Sequence, residues 1–182
     1  MKVISTPIPD LFVLEPVVHG DDRGYFMESF KGDLFREKFP HIQFIQDNES
    51  KSTKGVLRGL HFQRPPYAQT KLVRAISGEV YDVAVDLRKG SETYGQHYGV
   101  LLSGENKKQL LVPKGFAHGF VVLSESAIFS YKVDNVYHPE SDDGIFFGDQ
   151  DLGIDWHLEN KSLLLSEKDK LLTSFRNCNS PF

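Results

Sequence analysis

Apolar and polar residues alternate with period two over much of this chain, the pattern of strands with one covered face. The strongest instance runs from Lys71 to Leu87. Lys71-Leu72-Val73-Arg74-Ala75-Ile76, a turn at Ser77-Gly78, and Glu79 to Leu87 predict a β-hairpin. In its second arm Tyr81, Val83, Val85 and Leu87 share one face, and Asp82 and Asp86 lie on the other. Further strands are predicted at 96–102, 109–113, 118–123 and 127–133. An aromatic run from Tyr25 to Phe30 follows the turn signal Gly20-Asp21-Asp22-Arg23-Gly24. Two short helices interrupt this rhythm. One covers 31–39 and ends at Pro40; the other opens at Ser166-Glu167-Lys168-Asp169, a capping-box pattern. Short strands at this spacing predict an all-β sandwich or barrel with small helices at its ends.

The chain has 182 residues, enough to bury a substantial core, and shows no repeat, low-complexity segment or linker. One domain spanning 1–182 is expected. Hydrophobic content of 40% and charged content of 25% are those of an ordinary globular protein. The formal net charge of -4 supplies no basic field for nucleic acid, so an anionic ligand must be met by local cations. Cys178 is the single cysteine, which rules out an internal disulfide and fits a reducing compartment. Met1 to Pro7 lacks the apolar core of a signal peptide, and no apolar run reaches the length of a membrane span. These features predict a cytoplasmic protein with no membrane or nucleic-acid partner.

The chemistry concentrates in a few places. Val56-Leu57-Arg58-Gly59-Leu60-His61-Phe62-Gln63 sets a cation, a glycine and a histidine within four residues. Strict alternation puts Arg58 and His61 on opposite faces; a bulge at Gly59 turns both toward one cavity. A nearby cation favours neutral imidazole, the form that accepts a proton. His61 is otherwise an ordinary core or surface histidine. A second histidine, His118, sits in Pro113-Lys114-Gly115-Phe116-Ala117-His118-Gly119-Phe120. Barrel metal sites commonly use two histidines one residue apart, and position 63 is Gln63, so no metal is expected. Lys71 is either an edge lysine guarding a sheet or an ammonium aimed inward at a developing oxyanion. Tyr131, among apolar neighbours, is either core or a general acid. Asp169 is either a helix-capping residue or a carboxylate that orients an imidazole. Arg23, Arg58 and Lys168 suit a diphosphate, and Tyr25 or Phe26 suits stacking on a base.

Several blocks in one order resemble the dTDP-4-dehydrorhamnose 3,5-epimerases. They are Asp22-Arg23-Gly24-Tyr25-Phe26-Met27-Glu28, Gln46-Asp47-Asn48-Glu49-Ser50, the Arg58–Gln63 block, Lys71-Leu72-Val73-Arg74, Asp82 to Arg88, the His118 block, Tyr131-Lys132, Gly153-Ile154-Asp155-Trp156, and Leu165 to Asp169. The resemblance covers nearly the whole chain. It implies a cupin-type jelly roll acting as a homodimer on a dTDP-linked 4-keto-6-deoxyhexose, without metal or redox cofactor. It implies His61 as general base with Asp169 as its orienting partner, Tyr131 as the acid on the opposite face, and Lys71 at the enolate oxygen. Arg23, Phe26, Glu28, Gln46, Asn48, Arg58, His118, Asp142 and Lys168 match substrate-contacting positions. Two departures stand out. Phe147-Gly148-Asp149-Gln150 replaces the family's Trp-Asn-Asp-Pro, and Asp142 stands where many members carry glutamate.

Overall fold

Short runs of β-branched and aromatic residues, cut by Gly and Pro, fold here into thirteen strands and two small helices among the described residues. The computed structural model describes residues 1–158 and 162–182. In chain order the strands are β1 (Lys2–Ser5), β2 (Phe12–Glu15), β3 (Val18–Asp21), β4 (Gly24–Met27), β5 (Gln46–Thr53), β6 (Leu57–Gln63) and β7 (Lys71–Ser77). They continue with β8 (Glu79–Asp86), β9 (His97–Ser103), β10 (Gln109–Val112), β11 (Phe116–Val122), β12 (Ser126–Val133) and β13 (Asp142–Gly144). Helix α1 (Gly32–Lys38) follows β4, and α2 (Glu167–Lys170) lies near the end. The predicted strands and both helices lie within a few residues of these bounds.

Two antiparallel sheets face each other. One has the order β1-β2-β10-β7-β12-β5 and the other β13-β6-β11-β8-β9. The space between them is filled by Val73 and Ala75 of β7, Leu110 and Val112 of β10, and Phe129 of β12. These meet Val80 and Ala84 of β8, Leu102 of β9, and Phe120 and Val122 of β11. The outer faces are covered too. Leu14, Leu72 and Leu111 pack under Phe35 and Phe39 of the α1 region. Each buried ring contributes about 1.5–3 kcal/mol. Val83, Val85, Ala117 and Val121 pack under the C-terminal segment, through Ile145, Phe147 and Trp156. A separate two-stranded sheet, β3–β4, carries exposed Tyr25 and Phe26.

One expectation needs correction. The hairpin over Lys71 to Leu87 does not form: β7 pairs with β10 and β12, whereas β8 pairs with β11 and β9. Gly78 turns the chain from one sheet into the other. It does so at φ +72, and a Cβ there would sit 2.1 Å from the Ser126 carbonyl oxygen. A tight glycine turn thus makes a corner of the sandwich as readily as a hairpin. Asp82 and Asp86, on the face opposite Tyr81, Val83, Val85 and Leu87, are fully buried as well. The cover on both faces of the sheet explains this. Asp86 is satisfied by Arg88, Ser91 and Thr93, and Asp82 points into the sandwich at the site described below.

Gly78→Ala meets both a left-handed backbone and an occupied space. We expect a loss of about 2 kcal/mol or more in stability, read as a lower calorimetric melting temperature. Unchanged melting would show that the corner relaxes freely.

Candidate active site

The Gly59 bulge is present. His118 pairs with His61 and Phe120 with Arg58, so Gly59 and Leu60 together oppose Gly119 alone. Gly59 adopts φ +134, and a Cβ on it would lie 2.5 Å from the Gly119 Cα. The extra residue returns Arg58 and His61 to the same side, and both line one cavity of about 500 Å³ between the sheets.

That cavity is furnished from both walls. β6 and β11, on the five-stranded sheet, supply Arg58, His61 and His118; β7 and β12, on the six-stranded sheet, supply Lys71 and Tyr131. The C-terminal segment closes it with Leu164, Leu165, Ser166, Lys168 and Asp169. Phe120 and Phe129 stack at 4.1 Å and form apolar lining.

His61 Nε2–H donates to Asp169 Oδ1 at 2.6 Å, across 108 residues of sequence. Asp169 is 2% exposed. Burial raises its carboxyl, but the hydrogen bond and charge of His61, with help from Ser166 and Lys168, outweigh this and hold it below the usual carboxylate range. An ionised partner on Nε2 fixes the imidazole tautomer and leaves Nδ1 as the proton-accepting atom. The capping role coexists with this one. The Asp169 backbone N–H donates to Ser166 Oγ at 3.1 Å, while its side chain serves His61.

Tyr131 faces the dyad from the opposite sheet. Burial raises its phenol, Asp142 raises it further, and the Arg58 charge partly opposes them. The net shift is upward, so the phenol keeps its proton at neutral pH and is a donor. Lys71 lies on a central strand, so it is not an edge residue. Burial lowers its ammonium to about 8, against the pull of Asp142 and Asp82. It therefore remains a cation near neutrality in a largely dry site, where its field is strong.

His118 Nε2–H donates to both oxygens of Asp82, at 2.9 and 3.0 Å. Lys168 forms an ion pair with Asp142, which also accepts from Tyr137 Oη at 2.9 Å. Asp142 thus sits behind Lys168, outside the residues that line the cavity. Gln46 and Asn48 lie on β5, linked to each other at 2.8 Å and outside the cavity lining. Arg23 and Phe26 lie on the exposed β3–β4 hairpin, and Glu28 just past it pairs with Lys31. Arg23 bonds only its neighbour Asp21 among the described residues, and its side chain is 89% exposed. The fold of one chain therefore gathers His61, Lys71, Tyr131, Asp169, Arg58, His118 and Lys168, and leaves Arg23, Phe26 and Glu28 apart from them.

Gln63 is not turned to the cavity. Its amide donates to the Tyr67 and Val136 carbonyls and accepts from His138 N–H, clamping two loops. Among the described residues no three His, Cys, Asp or Glu side chains converge as metal ligands. Sequence reasoning missed Asp82 as the partner of cavity-lining His118, along with Ser52, whose hydroxyl accepts from Arg58 Nε. The continuous apolar character around Asp82, with Val80 and Ala84 sharing its face, was the available signal.

Two sheets closing over a polar cavity furnished from both walls define a cupin-type jelly roll. The chain belongs to the dTDP-4-dehydrorhamnose 3,5-epimerase family, whose model matches residues 5–177. It is 56% identical over 170 residues to the dTDP-4-dehydrorhamnose 3,5-epimerase of Shigella flexneri, covering 93% of both chains. The crystal structure of the same-named enzyme from Elizabethkingia anophelis NUHP1 superposes with a TM-score of 0.93 at 52% identity, covering 98% of each chain. The dTDP-6-deoxy-D-glucose-3,5-epimerase of Legionella pneumophila Philadelphia 1, solved with dTDP-4-keto-L-rhamnose, gives 0.93 at 49% identity over 98% of this chain and 94% of that one.

Lys71 sets a pH dependence of stability. Unfolded, it keeps its proton to about 10.5; folded, to about 8. Between those values the unfolded chain binds more protons, so stability rises with pH; below pH 8 the full cost, about 3 kcal/mol, is present. We expect Lys71→Met to be more stable than the parent by about 2–3 kcal/mol at pH 7 in urea unfolding. The gap should close by about pH 10.5. A variant no more stable at pH 7 would mean that the buried ammonium is fully compensated.

Proposed function

We propose that this protein inverts C3 and C5 of dTDP-4-keto-6-deoxy-D-glucose to give dTDP-4-keto-L-rhamnose, on the way to dTDP-L-rhamnose. The observation that carries this reading is the pairing, across one cavity, of the His61–Asp169 dyad on one wall with Tyr131 and Lys71 on the other.

The chemistry follows from the ketone. The C4 carbonyl acidifies the protons on C3 and C5. His61, oriented by Asp169, takes one of them through Nδ1, and the electron pair moves into an enolate whose charge gathers on O4. The Lys71 ammonium stabilises that oxygen. The Tyr131 phenol returns a proton to the opposite face, inverting the centre. The imidazolium and phenolate then exchange protons with solvent, and the cycle repeats at the second carbon. No electron is gained or lost, so the reaction needs no redox cofactor. Arg58, His118 and Lys168, the last held by Asp142, bind the remote diphosphate and sugar, and that binding energy positions the ring.

We further infer a homodimer whose exposed β3–β4 hairpin completes the neighbouring site. Arg23, Phe26 and Glu28 match substrate-contacting positions of the family yet stand away from their own chain's cavity, and Tyr25 and Phe26 are 57% and 68% exposed. Aromatic rings so displayed suit burial against a second copy. Gln46 and Asn48, on the edge strand β5, belong to the same outer part of the site. A cytoplasmic location fits a nucleotide-sugar substrate and the free thiol of Cys178.

His61→Asn is expected to abolish deuterium incorporation at C3 and C5 when substrate is incubated in D2O and followed by NMR. Exchange at the parent rate in that variant would remove His61 from the role of base. Tyr131→Phe is expected to slow net inversion more than proton loss; equal rates of both would make the phenol structural. Product stereochemistry separates double from single inversion, and tight binding by the parent protein without exchange would leave a sugar-binding barrel. For the dimer, mixing inactive His61→Asn with inactive Arg23→Ala should restore about a quarter of parental activity through heterodimers with one intact site. No recovery after subunit exchange would confine each site to one chain.

A further inference from the structure

β5 turns Asn48, Ser50 and Ser52 toward the interior with period two, and Ser52 lies deepest of the strand, at 6% exposure. It stands opposite Ala127, itself buried in the main core. An inward strand position at this depth ordinarily holds an apolar side chain, and a buried hydroxyl is costly unless it is hydrogen-bonded. The one side-chain hydrogen bond of Ser52 among the described residues comes from Arg58 Nε, at 3.2 Å.

Arg58 is the exposed residue of β6 that lines the cavity beside His61. Its two terminal nitrogens make no hydrogen bond or ion pair among the described residues. A guanidinium grips an anion in one of two ways, side-on through Nε and one terminal nitrogen, or end-on through both terminal nitrogens. With Nε held by Ser52, the end-on pair remains. A long arginine side chain also loses much rotamer freedom when it binds, and an anchor at Nε meets part of that loss in advance.

We infer that Ser52 is a positioning residue for substrate binding, its hydroxyl holding Arg58 Nε so that the two terminal nitrogens are presented end-on to a diphosphate oxygen of the nucleotide sugar. The nature of that anion rests on the function proposed above; the coupling of Ser52 to Arg58 does not. Ser52 touches no reacting atom, so its influence belongs in binding rather than in the proton transfers.

The test is a double-mutant cycle read by two methods. Titration calorimetry with dTDP and steady-state kinetics with the keto sugar are compared for the parent, Ser52→Ala, Arg58→Ala and the double variant. Ser52→Ala should weaken dTDP binding and raise KM by about tenfold or more, the factor for losing one charge-assisted hydrogen bond, while kcat changes by less than about twofold. Added to Arg58→Ala, the same change should have no further effect. Ser52→Thr should restore affinity and Ser52→Val, of the same shape without the hydroxyl, should not; this pair carries the comparison if alanine disturbs folding. Unchanged dTDP affinity in Ser52→Ala, equal affinity of the Thr and Val variants, or an undiminished loss in the Arg58→Ala background would overturn the inference. The calorimetric cycle stands on dTDP affinity alone. A parent protein that binds dTDP but turns over no substrate would sink the epimerase reading and leave this one intact.

Discussion

The hydrogen bond from His61 Nε2 to Asp169 Oδ1 is the interaction on which the arrangement of the cavity depends. It ties the C-terminal segment to β6 of the five-stranded sheet. It also fixes the imidazole tautomer, and it gives a buried carboxylate its partner. A carboxylate 2% exposed without that partner would be strongly disfavoured. Around this bond the two walls take distinct chemical parts. The five-stranded sheet holds the proposed base, and the six-stranded sheet holds the phenol and the ammonium. A jelly roll has two faces by construction, so opposed acid and base need no moving part.

The cost of this site is visible in Lys71. A buried ammonium lowered to about 8 is a group that the fold would be better without, and that the proposed chemistry would use because it is poorly solvated. The same low-dielectric surroundings that weaken its hold on a proton strengthen its field at a nearby oxygen. Asp82 and Asp142 keep it from falling further, and each has a second cationic or imidazole partner, in Lys168 and His118 respectively for Asp142 and Asp82.

Much of this was legible before any coordinates. Alternation located the strands, and Gly59 between Arg58 and His61 signalled the bulge that returns both to one side. Ser166 signalled the start of α2. What alternation cannot carry is the identity of the partner sheet. Ser77-Gly78 has the form of a hairpin turn, yet it serves as a corner, because turn chemistry fixes a change of direction and not which strands then pair. Two-sided burial likewise hid Asp82, since a polar residue on a strand is read as solvent-facing unless the layer covering it is known. The pairing of Asp169 with His61 was readable only through resemblance, as the two lie 108 residues apart. Ser52 carried no signal at all, being one polar residue among many in an edge strand.

The order of these groups along the polypeptide has a consequence for biogenesis. During synthesis the imidazole emerges early and every strand of both sheets precedes the carboxylate that must meet it. A ribosome-bound chain that has already closed its barrel still lacks that oxyanion and the cap above the cavity. Competence to handle a reactive ketone is thereby withheld until the segment that carries Asp169 has been made and docked.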